Sequence, residues 1–324
     1  MLYHEMRRFV EADLQQVETT IASHLDTDVP FIEETARYVL SSGGKRIRPA
    51  LLILSARLCG CADPRMYELS TVIEFIHTAT LLHDDVMDNA DLRRGNPTVH
   101  SLWGNEISIL IGDYLYAKAM SLALADKDHL VMETVSDVTV EMAKGQVIET
   151  LKQRDLDISE EEYYRIIALK TASLFAASCK IGAVIGGIPP QERARVEAFG
   201  HHLGMAFQMA DDTLDFVSPA DKLGKPVNND LKEGKITLPV ISLMQQAGAE
   251  ERRIVSDYVE NPSDAATVPR RITGLLHKYD TLKSTLAKAQ EHVDLAKKQI
   301  ASFAPSSAMD TLYAIADYVT TRDV

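Results

Sequence analysis

Residues 67–88 read YELSTVIEFIHTATLLHDDVMD. Leu69, Val72, Ile73, Ile76 and Ala79 recur at intervals of three and four, the period of a helix with an apolar face. The run predicts a long helix from about Tyr67 to Asp88, ending in three carboxylates: Asp84, Asp85 and Asp88. Residues four apart on a helix share a face, so Asp84 and Asp88 point together. Three carboxylates within one turn repel one another unless a cation lies between them. For one such group alone, an acidic helix end in solvent is the ordinary alternative.

A second copy shifts that balance. Residues 207–215 read FQMADDTLD, with Asp211, Asp212 and Asp215 at the same spacing after a similar apolar lead-in. In a helical bundle, two such helix ends can face each other across a cavity. Carboxylate oxygens without Cys or His ligands select Mg²⁺ or Mn²⁺ over zinc. Mg²⁺ takes one or two carboxylates, keeps waters and completes its octahedron with substrate phosphates. The paired clusters therefore predict a diphosphate held through several ions.

Working outward, the helical period continues. Helices are expected over 5–25, over 30–42 between Pro30 and Gly43-Gly44, and over 49–59 behind Pro49. A polar loop (NADLRRGNPTV) separates the 67–88 helix from helices near 105–125 and 128–152. Ser159 with Glu162 forms a capping box for a helix over 160–185, and Pro189-Pro190 opens the next, to about Val217. A charged loop covers 218–236, Thr237 can cap a helix with Pro239 in its first turn, and two or three more helices follow, 281–302 the clearest. Sustained strand alternation and a βαβ rhythm are both missing. The expected fold is all-α: ten or more helices around one core, with residues 1–324 forming a single domain.

Bulk properties narrow the function. The 324 residues carry 46% hydrophobic content, ample for a large core, and a formal net charge of −13. Without a clustered Lys/Arg block, nucleic acid is excluded as a partner. Three cysteines, Cys59, Cys61 and Cys179, are too few and too scattered for a disulfide framework and fit a reducing compartment. The N-terminus mixes charge into every turn, unlike a signal peptide. No run is expected to reach the length of a membrane span, since the most apolar region, 105–125, is broken by Asp113 and Lys118. The cytoplasm is the expected location.

Cations suited to a diphosphate lie around the acidic clusters. Arg93-Arg94-Gly95 follows the first cluster, and Gly43-Gly44-Lys45-Arg46-Ile47-Arg48-Pro49 marks a helix boundary. Lys170-Thr171 sits inside an apolar helix, where a lysine is costly unless paired. Lys225 and Lys235 flank an Asn/Asp-rich loop. A solvated surface charge is the alternative for each of them. His77 lies seven residues before Asp84, on nearly the same helix face, where ligand contact competes with the role of a satisfied core histidine.

These elements together resemble the trans-isoprenyl diphosphate synthases. GGKRIRP at 43–49, HDDVMD at 83–88, RRG at 93–95, KT at 170–171, FQMADDTLD at 207–215, GK at 224–225 and DLKEGKITLP at 230–239 occur in that family's order. The resemblance implies an isoprenoid-synthase-like helical bundle around a central cavity, and a prenyltransferase. It implies that Asp84, Asp85, Asp88, Asp211, Asp212 and Asp215 surround about three Mg²⁺ ions. It assigns Arg93, Lys170 and Lys225 to the allylic diphosphate, with Lys235 beside them, and Lys45, Arg48, His77 and Arg94 to isopentenyl diphosphate. Thr171 and Gln208 resemble the groups that stabilise the allylic cation. A homodimer is also implied. One departure is Asn228, where the family usually has Gly.

In that family a bulky aromatic one turn before the first Asp cluster makes short products. Ala79 and Thr80 are both small. By family resemblance and helix geometry, an all-trans product of about six to ten isoprene units is expected, octaprenyl diphosphate being the specific choice and a quinone side chain its use. Met120 on a neighbouring helix is the side chain that would close the pocket sooner. The competing readings are a short-chain farnesyl or geranylgeranyl synthase, a class I terpene cyclase and a non-catalytic partner subunit.

Overall fold

The computed structural model describes residues 3–217, 229–262 and 267–321. Helices dominate, in the order α1 (Tyr3–His24), α2 (Pro30–Ser41), α3 (Ile47–Leu58), α4 (Arg65–Met87), α5 (Val99–Trp103), α6 (Asn105–Asp126), α7 (His129–Leu151), α8 (Glu160–Ile167), α9 (Ser173–Ile185) and α10 (Pro190–Val217). Then come α11 (Asn229–Glu233), α12 (Leu238–Gln246), α13 (Ala249–Glu260), α14 (Thr267–Lys278), α15 (Thr281–Ile300) and α16 (Ser307–Thr321). The all-α expectation holds, and the Ser159/Glu162 capping box starts α8 as predicted.

Several elements differ from the sequence reading, among them α11, which lies within the stretch 218–236 expected as a loop. The loop after α4 contains a two-residue antiparallel ribbon, Leu92–Arg93 against Asn96–Pro97, closed by Arg94 and Gly95 at positive φ. The helix expected over 160–185 is interrupted by a π-helical turn at Ala168–Ala172. Thr237 holds the N-cap position of α12, but its side chain makes no capping bond. Among the described residues four helices, not two or three, follow α12.

Helices α3 and α9 are central. On α3, Leu51 and Leu54 belong to one apolar cluster while Leu52 and Ile53 belong to another. On α9, Phe175 and Cys179 divide from Leu174 and Ala177 in the same way. Helices apolar all round are buried all round. One cluster joins α9 to α10, α12 and α15; the other joins α4, α6 and α7. The two Asp-bearing helix ends, on α4 and α10, are thereby held on either side of α9.

Contrary to the expectation about spans, two helical stretches are long and apolar enough to cross a membrane: Asn105–Asp126 and Glu160–Ile185. The second is 78% buried inside the fold, as a core helix is. The first is 33% buried, and Ile109 and Leu110 on it are exposed, as are Val140, Val147 and Leu151 on α7.

Candidate active site

Two lysines stand between the two acidic clusters. Lys235 Nζ donates to Asp88 Oδ2 at 2.7 Å and to Glu233 Oε2 at 2.8 Å. Lys170 pairs with Glu149 of α7 and lies 3.9 Å from Asp84. Both lysines line a cavity with Thr171, Gln208, Asp211, Asp212 and Asp230. Asp84 and Asp88 are thus linked by a pair of ammonium groups to the cavity that Asp211 and Asp212 line. Burial pulls the Lys170 ammonium toward neutrality, but Glu149 and Asp84 outweigh it and hold the pKa raised. Burial lifts the Asp84 carboxyl above its ordinary range, with Lys170 opposing and Asp88 and Glu149 adding to the rise.

The π-helical turn explains how Lys170 and Thr171 reach this cavity from inside an apolar helix. A π-turn inserts one residue and re-aims the side chains around it. The turn is clamped by two glycines. A Cβ on Gly145 of α7 would lie 2.6 Å from Lys170 N, and one on Gly204 of α10 would lie 2.5 Å from Ala172 Cα. Only a residue without Cβ allows such close backbone approach.

Thr171 opens a hydrogen-bonded chain. Its hydroxyl donates to Gln208 Oε1 at 2.8 Å, Gln208 Nε2 donates to Asp212 Oδ1 at 2.8 Å, and Tyr163 Oη donates to Asp212 Oδ2 at 2.6 Å. Both oxygens of Asp212 are oriented, and so is the Gln208 amide. Burial, then Asp230, pushes the Asp212 carboxyl up to about 8. The same two causes hold Asp215 well above the carboxylate range. Crowded, desolvated carboxylates of this kind are relieved by a divalent cation. The donor set therefore fits Mg²⁺ or Mn²⁺. Among the described residues, no three acidic or His/Cys side chains converge tightly enough to hold a metal alone. Mg²⁺ relies on substrate phosphates and water for the rest of its shell.

A second cavity lies on the other side of α4, lined by Arg46, Glu74, Asp85, Arg93 and Arg94. Arg93 is tied to Asp85 at 2.7 Å, so Asp85 faces this side and not the lysines. Gly44 lets the Arg94 guanidinium lie against the 43–49 loop, where an added Cβ would stand 2.8 Å from Nη1. Nearby, Arg48 Nη1 is 3.1 Å from His77 Nε2 and its guanidinium lies 4.7 Å from the Phe175 ring centre. Arg48 Nε is buried, and among the described residues it has no hydrogen-bond partner. Burial, ahead of repulsion from Arg94, lowers Arg48 to about 10. His77 is half-buried, and burial followed by Arg48 holds its ring neutral. Its Nε2 therefore accepts from Arg48. Lys45 is exposed and donates to Tyr318 Oη at 3.0 Å.

Most residues singled out in the sequence are thus gathered around α4, α9 and α10. Asp215, like Asp85, does not line the main cavity: it accepts from the backbone N–H of Asn229 at 3.2 Å and of Asp230 at 3.3 Å, tying α11 to α10. Ala79 is wholly buried among the apolar residues of α4, α6 and α7, and Thr80 donates to His77 O on its own helix at 2.8 Å. Met120 is half-buried against the same cluster. Lys225 and Asn228 lie outside the described residues. Sequence reasoning missed Glu149, Glu233, Asp230 and Tyr163. The cost of burying Lys170 signalled that an acidic partner was needed, without saying which.

This arrangement of acidic clusters, cations and helices can be set against known proteins. A model of the polyprenyl synthetase family matches residues 29–275. The chain belongs to that family. Its members are prenyltransferases that make trans-prenyl diphosphates, and this chain is such an enzyme. It is 33% identical over 323 residues to the octaprenyl diphosphate synthase of Escherichia coli K12, covering 100% of each. It is 36% identical to the short chain isoprenyl diphosphate synthase of Methanothermobacter thermautotrophicus, covering 98% of each. A polyprenyl synthase from Caulobacter crescentus CB15, solved with calcium and isoprenyl diphosphate, superposes with a TM-score of 0.95 at 34% identity, covering 100% of this chain and 98% of that one. A decaprenyl diphosphate synthase from Rhodobacter capsulatus superposes with a TM-score of 0.93 at 34% identity, covering 99% of each.

Proposed function

We propose that this prenyl diphosphate synthase adds isopentenyl diphosphate repeatedly to an allylic diphosphate and releases a long all-trans product, octaprenyl diphosphate being the specific choice. The observation that carries the site assignment is the pair of lysines, Lys170 and Lys235, bracketed by Asp84 and Asp88 on one side and Asp211 and Asp212 on the other. In this function the allylic diphosphate occupies the space between the clusters. These carboxylates, together with the diphosphate, would hold about three Mg²⁺ ions, whose charge would stabilise the leaving group. Lys170 and Lys235 trade their carboxylate partners for diphosphate oxygens, and Lys225 and Arg93 bind the same diphosphate. The same metal set includes Asp85, which also orients Arg93, and Asp215, which also ties α11 to α10.

The C–O bond of the allylic diphosphate breaks heterolytically. Thr171 Oγ1, with its hydrogen spent on Gln208, keeps its lone pairs free to face the allylic cation; Gln208 holds that orientation. Lys45, Arg48, His77 and Arg94 hold isopentenyl diphosphate, whose double bond attacks the cation, and the released diphosphate takes the proton lost. The unpartnered Nε of Arg48 is a donor waiting for an anion. Exclusion of water protects the cation.

Long product length is supported by the small side chains Ala79 and Thr80 one turn before Asp84. The relatives named above range from short chain to decaprenyl synthases. The exposed apolar face of α6 and α7, with Leu110 60% and Val147 58% exposed, is covered by a second copy of the chain in a homodimer. The whole chain works as one catalytic domain, in the cytoplasm. The test is Mg²⁺-dependent condensation by Asp84→Ala and Asp211→Ala. Each should lose at least about 100-fold in rate while the helical fold survives. Near-wild-type turnover in both would exclude this site.

A further inference from the structure

Glu74 is out of place by composition. It lies in the apolar run STVIEFIHTATLL of α4, three residues before His77, and is 5% exposed. A buried carboxylate needs a charged, hydrogen-bonding partner. That partner is Arg46, whose Nη1 donates to Glu74 Oε1.

Arg46 differs from its neighbours in the 43–49 loop. Its backbone is left-handed, with φ 47, and its side chain turns inward to 9% exposure. The guanidinium is committed to protein: Nε donates to Glu18 Oε1 at 2.7 Å and Nη2 to Leu40 O at 2.5 Å, besides the bond to Glu74. Burial opposes its charge, but Glu74 and Glu18 outweigh burial and hold it protonated. It therefore has little left to offer a substrate. Its sequence position is telling, because it stands between Lys45 and Arg48. Glu74 is also the leading attractive charge acting on Arg48 and on Arg94.

One ion pair thus joins three pieces of the cation pocket: the end of α2 through Leu40 O, the loop bearing Lys45 and Arg48, and the helix bearing His77. We propose that Arg46 and Glu74 are positioning residues for isopentenyl diphosphate, a brace that fixes the height of Lys45 and Arg48 over α4 without touching substrate. This rests on the assignment of Lys45, Arg48, His77 and Arg94 as that subsite. The allylic site is braced independently by Lys170 and Lys235, so loosening the Arg46–Glu74 pair acts on one substrate and not the other.

Steady-state kinetics of purified Glu74→Gln tests this, with each substrate varied at saturation of the other. The expected result is a KM for isopentenyl diphosphate raised about tenfold, equivalent to about 1.4 kcal/mol, with KM for farnesyl diphosphate and kcat within about twofold. Glu74→Asp, which keeps the charge and shortens the reach, should fall between. Glu18→Gln loosens the brace at its exposed end, where Glu18 is 49% exposed, and should raise the same KM about twofold even where Glu74→Gln fails to fold. Equal movement of both KM values, or of neither, in the folded variants overturns the brace. Lys45→Ala separates the levels: if it too leaves KM for isopentenyl diphosphate unchanged, the subsite assignment fails; if it raises that KM while Glu74→Gln and Glu18→Gln do not, only the brace fails.

Discussion

Substituting Gly145 by Ala probes the active site through a residue that touches no substrate. A methyl at this position of α7 would lie 2.6 Å from Lys170 N and 3.0 Å from Lys170 Cα and Leu169 Cβ. The obstacle is backbone, so rotamer changes give no relief. Reaching the 3.4 Å of ordinary contact requires the two elements to separate by about 0.8 Å. Two opposing effects set the stability change. Overpacking costs about 1–3 kcal/mol, while Ala in place of Gly in a helix interior returns about 1 kcal/mol. The net is a loss of about 0–2 kcal/mol, which a protein of this size survives. Activity should suffer far more. Whichever element yields, the geometry of Lys170, Thr171 and Glu149 changes together, because Glu149 rides on α7 with Gly145. A misplacement approaching 1 Å costs about 100-fold in rate. The single-turnover rate of condensation should fall about 10- to 100-fold while the melting temperature moves little. A rate within twofold of wild type would refute the view that the clamped π-turn sets the position of Lys170 and Thr171.

Other outcomes follow from the same geometry. Ala79→Phe places an aromatic ring at a wholly buried position one turn before Asp84; the product alcohols, sized by chromatography, should shorten, and an unchanged ladder would place the growing chain elsewhere. Leu110→Glu with Val147→Glu puts charge on the exposed face of α6 and α7; light scattering should show a shift from dimer toward monomer, and an unchanged dimer would move the interface to another surface.

Much of the fold was legible because α4 and α10 write their burial into the sequence. Leu69, Val72, Ile73, Ile76 and Ala79 share one face by spacing alone, and all are buried. The acidic clusters were legible for a related reason: carboxylates at the end of apolar helices have few ordinary uses. What was hidden depends on tertiary approach. The π-turn at Ala168–Ala172 arises where α7 and α10 press Gly145 and Gly204 against it, and no local propensity marks it. Glu149 and Glu233 look like solvated charges until Lys170 and Lys235 are seen beside them. The ribbon at Leu92–Arg93 is too short to show an alternating pattern. Glu74 did carry a signal, since a lone acid in an apolar run needs a partner, but sequence spacing could not point to Arg46. Thr237 stands at a cap position without capping, because side-chain direction is a property of packing and not of residue type.

The most direct test of the central claim is incubation of the purified wild-type protein with Mg²⁺, isopentenyl diphosphate and farnesyl diphosphate, followed by sizing of the dephosphorylated products. A ladder of alcohols running beyond twenty carbons, abolished by chelation of the metal, is the predicted result; absence of any condensation by folded protein with metal present would contradict it.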